Sequence, residues 1–589
     1  SMMTAKQNLR FPRMRSHIST MSVFLVLAAI GGLSPAASAK TPVQNPPLEI
    51  QVTPRIRGGG VETIEVVERI GAPMIKPGHV LLRMPIISVN EPSALADPAT
   101  LLAKDGGGDL PLKITDDSPD PSNFKQERTW SPVRATVGDV TIRYRAKPRV
   151  ITPETHAGPL IDVRAEREGM EGALSMLLAL PDTAWPRPVK LHWGLSEMPV
   201  GARAATSLGE GELDSVVSRE TLGESIFMVG PLFSAPTNGR GGFVVYWLTQ
   251  PTWDLAGAAD WTHKVYDYYT RFWGGSDQPF RVFMRTTQRF QGGGGGSFHS
   301  FIFGAVAGQP RDADEVRDLM AHEAGHNFVG HLTDPGTGAQ WYAEGANVYY
   351  TAVLPYRAGL ISLDHFQAVI NKWASDYYLN PLSQLPNAEV TRRFFKEHNA
   401  EVVPYQRGPL YFASVDAKLR MASGGTRRVD ELVNAMVAAQ RTNRPVDETL
   451  WVSLVRGSLG ETGVTDFEAM MAGKLLDLPA DLFGACFERE PFTYRRYALG
   501  FTPQTKDGVR QVAHLDPLSS AALAGLRDGD VILASDPIDF SQEPPPGPVR
   551  LRVQRPTGAE PVIFDPWSHE AISGFRWVRN TTPISACGI

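Results

Sequence analysis

Cysteine is scarce in this chain, with only Cys486 and Cys587 among 589 residues. Two thiols cannot furnish a four-ligand structural zinc site, so a bound metal has to draw on other side chains. In an oxidising compartment the two either close a disulfide or stay as buried thiols, and both outcomes remain open. Charge of one sign is lacking as well. The 58 basic and 63 acidic residues give a net charge of −5 without a basic block, which excludes an electrostatic footprint for nucleic acid. Long apolar runs are missing except at residues 21–33, short of the roughly 20 residues that span a bilayer, so stable membrane insertion is not expected. No repeat of solenoid period is present.

What is present at the N-terminus is ordered. Lys6, Arg10, Arg13 and Arg15 precede the apolar run, and Ala37-Ser38-Ala39 follows it as a cleavage site. This order predicts a signal peptide over residues 1–39 and export to a periplasmic or secreted location. No cysteine follows the cleavage site, which excludes lipoprotein attachment.

A hydrophobic content of 42% and a charged content of 21% are those of a folded chain, and the length calls for three or four domains. A Pro-rich linker at 40–47 leads into residues 48–249, which read as strands broken by turns. Residues 140–145 alternate apolar and polar side chains, as a half-buried strand does. From about residue 250 the period changes to helical, with Phe366, Val369, Ile370 and Trp373 on one face and a further helical stretch at 430–441. Residues 281–285 read as a strand and 292–296 as a mobile glycine loop. The expected architecture is multidomain α+β. An N-terminal β-sandwich-like domain (48–249) precedes a mainly helical domain (250–490), a small β domain (491–565) and a tail (566–589).

The chemistry concentrates at His322-Glu323-Ala324-Gly325-His326, inside a segment, 312–332, that reads as one helix started by Asp312 and Glu315. On a helix, positions i and i+4 share a face, so two imidazoles take adjacent corners of a zinc tetrahedron. Glu323 projects beside them, placed to take a proton from a metal-bound water of pKa near 7. Glu344 stands 18 positions beyond His326 at the start of a second helical stretch. His331 is the rival third ligand, but five helical residues rotate it by roughly 140° from His326, which favours Glu344. One zinc ion per chain is implied.

His-Glu-Ala-Gly-His, followed by Trp-Tyr-Ala-Glu-Gly-Ala-Asn-Val-Tyr-Tyr at 341–350, Tyr-Gln-Arg-Gly-Pro-Leu at 405–410 and Asp-Ala-Lys-Leu-Arg at 416–420, resembles the glycyl-aminopeptidase family of gluzincin metallopeptidases. In the β region mainly Trp193 and Ala-Thr-Ser-Leu at 205–208 support it. The resemblance implies a thermolysin-like helical catalytic domain, a C-terminal PDZ domain, and a peptide or protein-end substrate. Glu344 lies close to the interval at which gluzincins supply a glutamate. Tyr405 matches the family tyrosine that donates to the scissile carbonyl oxygen.

Two departures matter. The family's Gly-Gly-x-Glu-His segment, whose glutamate meets a free α-amino group, reads Gly-Gly-Ser-Phe-His at 295–299, so Gly295, Gly296 and His299 remain as substrate-binding candidates while Phe298 replaces the carboxylate. Pro404 and Pro409 also flank Tyr405. Ala-Leu-Gly-Phe at 498–501 and residues 524–533 resemble PDZ elements, but the groove-forming helix would fall between 532 and 549, a proline-rich stretch that predicts a reduced groove. Three functional readings follow: a zinc peptidase, an envelope binding protein that retains zinc with diminished turnover, and a purely structural exported scaffold without stoichiometric zinc.

Overall fold

The structure, a computed structural model, describes residues 45–120, 125–152, 155, 158–275, 279–288, 294–297, 299–333, 340–394, 396–536, 538 and 547–589. The expected signal peptide, most of the linker, Phe298 and most of the proline-rich stretch lie outside these residues. The chain is multidomain α+β and divides into two compact units, one ending at Phe328 and one running Val329–Ile589.

The first unit opens with strands β1 (Leu48–Arg57) and β2 (Gly60–Ile70), joined antiparallel. Leu48, Ile50 and Val52 are buried while Glu49 and Gln51 are exposed, the period-2 pattern that lets one face of a sheet bury against a core. Strands β3 (Val140–Ala146) and β4 (Arg187–Trp193) flank the pair, and β4 runs parallel to β1 in a seven-stranded sheet. Two five-stranded sheets complete this region.

A further five-stranded sheet contains β5 (Phe243–Trp247), β6 (Phe280–Thr287), β7 (Gly294–Ser297) and β8 (Ser300–Val306). β5, β6 and β8 are mutually parallel, and every residue of β5 is buried, the continuous apolar run expected of a strand covered on both faces. β7 pairs antiparallel with β8 and forms the sheet's edge. Part of the run read as a glycine loop is therefore a strand: main-chain pairing needs no side chain, and glycine conceals the alternation that would have marked it. Helix α1 (Leu255–Trp273) connects β5 to β6. The Asp254 side chain caps its start, and Gly274 closes it in the left-handed region at φ 86°. One apolar core runs from Leu48 through Val244, Phe283 and Ile302, so the strands after residue 242 share it with those before. Arg285 of β6 is fully buried, donates 2.6 Å to Asp162 Oδ1 and 2.7 Å to the Asp162 carbonyl, and pairs with Glu171 at 2.9 Å.

Helices dominate the start of the second unit: α3 (Gln340–Arg357), α4 (Leu363–Leu379), α5 (Val403–Ala422), α6 (Asp430–Arg441) and α7 (Glu448–Met471). α4 begins on Ser362, whose hydroxyl accepts from the His365 N–H, and it buries Phe366, Ile370 and Trp373 as its periodicity requires. β9 (Phe487–Tyr494) then pairs with the late strand Ile572–Arg579, and the strands between 502 and 564 make a five-stranded antiparallel sheet. That sheet has a core of its own, including Phe501, Val512, Leu526, Ile532, Leu551 and Phe564. Among its described residues the helix is a single turn, Ser520–Leu523. A disulfide joins Cys486 to Cys587, both buried, and Ala485 N–H donates to the Cys587 carbonyl at 2.8 Å.

Candidate metal centre

Helix α2 (Ala313–Gly325) carries the two histidines. Asp312 caps it by accepting from the Asp314 N–H, and Asp314 and Glu315 place negative charge in the first turn, where the helix dipole favours it. Val316, Met320, Ala321 and Ala324 face the core. The helix is shorter than the 312–332 segment the apolar spacing suggested. It closes in a tight turn, with His326 N–H donating to Glu323 at 3.2 Å, Asn327 N–H to Ala324 at 3.1 Å and Phe328 N–H to Gly325 at 2.9 Å. Phe328, Val329 and Leu332 are buried without belonging to the helix, which is why their spacing misled. His326 sits at the cap in helical conformation, at φ −63° and ψ −16°, so its relation to His322 survives.

The rings of His322 and His326 have centroids 4.9 Å apart and stand at 87° to each other. Glu344, in the first turns of α3, is 0% exposed. One nitrogen from each imidazole and one Glu344 oxygen all lie within 4.8 Å of one another. Two imidazoles and a carboxylate are the donor set of a zinc site that keeps a fourth position for water or substrate. Glu344 supports the same fit: an ionised carboxylate away from solvent is costly unless a positive charge compensates it, and a cation among these donors does so. His331 is exposed and is not one of the three. Glu323 is 6% exposed and lies next to His322 on α2.

His299 lies at the turn between β7 and β8 with φ 45°, and its Nδ1 is hydrogen-bonded to Asn327 Oδ1. Burial lowers the imidazole's pKa, and the bond to Asn327 works in the opposite direction. The Asn327 amide nitrogen donates to the Tyr266 hydroxyl at 2.8 Å. Tyr266 belongs to α1, so a chain of three side chains joins the β7–β8 turn, the segment after His326 and α1. Neither Asn327 nor Tyr266 stood out in the sequence. The one available signal was that Asn327 directly follows a ligand candidate. Gly295 and Gly296 are in β7.

Tyr405 is in the first turn of α5 and 8% exposed. Pro404 occupies a first-turn position, where its missing N–H is not needed, whereas Pro409 lies inside the helix. Arg407 is buried and donates to the carbonyls of Leu385, at 2.7 Å, and Ser383, at 3.3 Å, which ties α5 to the preceding loop. Burial lowers its pKa to about 10.

No protein-family model matches the sequence, and no curated protein matches it either. Solved structures do. The crystal structure of an aminopeptidase N family protein from Idiomarina loihiensis superposes with a TM-score of 0.58 at 15% identity, over 90% of this chain and 98% of that one. The two share a fold. An M1 zinc metallopeptidase from Deinococcus radiodurans gives a TM-score of 0.40 at 16% identity, over 74% of this chain and 96% of that one.

Proposed function

We propose that the protein is a single-zinc peptidase of gluzincin type that hydrolyses peptide bonds in short peptides or exposed chain ends, resembling the glycyl-aminopeptidases. The convergence of His322, His326 and the buried Glu344 carries this reading. Zinc held by these three supplies Lewis acidity that acidifies water and polarises a carbonyl. Glu323 takes the proton released from the attacking water and returns it to the departing amine. Tyr405 donates its phenolic hydrogen to the oxyanion that develops on the former carbonyl. His299 lines the substrate side together with the main chain of Gly295 and Gly296.

Phe298, in place of the family glutamate, removes the counter-charge for a free α-amino group, so peptides with blocked N-termini become the better substrates. The same replacement supports a second reading, a zinc-retaining binding protein with diminished turnover. Export by the N-terminal segment and a PDZ-like identity for residues 491–565 complete the proposal.

Glu323→Ala decides between the two readings. On a peptide library with free and blocked N-termini, wild type should cleave while the variant loses at least about 100-fold, both holding one zinc by metal analysis. Equal absence of cleavage in both would sink the peptidase reading and leave the binding protein. Absence of stoichiometric zinc would sink both.

A further inference from the structure

Helices α3 and α5 pack with aromatic rings on one side of their crossing. Trp341 stacks on Phe412 with centroids 6.1 Å apart and planes 10° apart, and Trp341 meets Tyr411 at 6.2 Å. At the crossing itself no side chain intervenes. A Cβ on Gly408 would lie 2.3 Å from the Gly345 Cα, and a Cβ on Gly345 would lie 2.8 Å from the Gly408 Cα. Neither glycine has a positive φ, so conformational freedom is not what requires glycine here. Proximity is.

The two glycines neighbour the residues proposed to act on substrate. Gly345 follows Glu344 directly, and Gly408 stands three residues after Tyr405, on the same face of α5 one turn away. Through these contacts the main chain of one helix rests on that of the other. We propose that the Gly345–Gly408 contact is a spacer that sets the separation between the metal-binding carboxylate of Glu344 and the hydroxyl of Tyr405. The two glycines are positioning residues, and their role rests on the peptidase reading.

The consequence is quantitative. Ordinary Cβ contacts begin near 3.4 Å, so one methyl group at position 408 forces the helices apart by about 1 Å. A misplacement of about 1 Å in a catalytic constellation costs on the order of 100-fold in rate. In the proposed site a bound zinc would hold Glu344 with His322 and His326, so the displacement falls on α5 and on Tyr405.

The test uses the full-length, zinc-loaded protein in two cycles. In the first, Gly408→Ala should lower kcat about 100-fold with KM changed less than about threefold and one zinc retained. In a Tyr405→Phe background the same change should add less than about twofold, because its effect passes through the phenol. Multiplying losses, or an unaltered kcat for Gly408→Ala, overturn the proposal. The second cycle needs no turnover: Gly345→Ala, Gly408→Ala and the double variant should show a combined fall in Tm no greater than the larger single fall, since the first methyl group already opens the crossing. Additive falls show that the two positions do not meet, and overturn it. Wild type without zinc or cleavage instead removes the peptidase reading while this second cycle still reports on the contact. Should neither alanine variant fold, a crystal structure of the wild-type zinc protein takes their place. Two glycine main chains in direct contact uphold the spacer, and any side chain or solvent between them overturns it.

Discussion

The imidazole of His299 is bonded to the side-chain amide of Asn327, one residue beyond the metal-ligand candidate His326. A strand turn that faces substrate in the proposed mechanism is thus tied to the segment that ends the histidine helix. Asn327→Ala removes this bond and the 2.8 Å bond to Tyr266. We expect a loss of about 1–2 kcal/mol in stability, read by urea unfolding, with zinc content unchanged.

Metal removal should be felt as a loss of stability. Zinc held by His322, His326 and the 0% exposed Glu344 would bind the folded chain and not the unfolded one, so stripping it removes that binding free energy from the folded state. Zinc returned at 100 times its Kd should restore about 2.7 kcal/mol, visible as a rise in Tm that depends on zinc concentration. Glu344→Ala should abolish that rise, whereas Glu323→Ala should preserve it.

The Cys486–Cys587 bridge spans a sequence separation of 101 residues. Closing a loop of that size restricts the unfolded chain enough to stabilise by about 4–5 kcal/mol. Cys486→Ser, or a dithiol reductant in the unfolding buffer, should lower the denaturant midpoint of the second unit. An unchanged midpoint would show that the tail is held without it.

Glu68 supplies a pH signature in the first unit. It is 0% exposed, Tyr144 O–H lies 3.1 Å from its Oε1, and burial raises its pKa to about 8 from 4.5. The folded form therefore holds a proton that the unfolded chain releases between those two values. Stability contributed by this group is full below about pH 4.5, falls by up to roughly 1.4 kcal/mol per pH unit as pH rises, and levels off above about pH 8. Glu68→Gln should match wild type near pH 4.5 and exceed it near pH 8 in urea unfolding. A wild-type slope that survives the substitution would assign it to another group.

The histidine pair was legible because helical spacing fixes which side chains share a face, and that rule holds even where the helix closes early at Gly325, whereas Glu344, on another helix, was reached by its interval from His326 and a family resemblance. The end of that helix was not legible, since Phe328, Val329 and Leu332 bury themselves from a turn with the same spacing a helix would show. β7 escaped because glycine gives no alternation to read. Pro409 lies inside α5, which runs through it, its neighbours Tyr411 and Phe412 being held by tertiary packing. The tie between His299 and Asn327 joins residues 28 positions apart, which no local pattern records.

β7 has one more implication. A Cβ at Gly296 would meet nothing within 4 Å, and one at Gly295 would make only an ordinary 3.8 Å contact with Ile302. Among the described residues, neighbouring atoms therefore do not demand glycine at either place. In the proposed function, a peptide laid along Gly295 and Gly296 meets main-chain groups there, which read the repeat of a backbone and not the identity of its side chains.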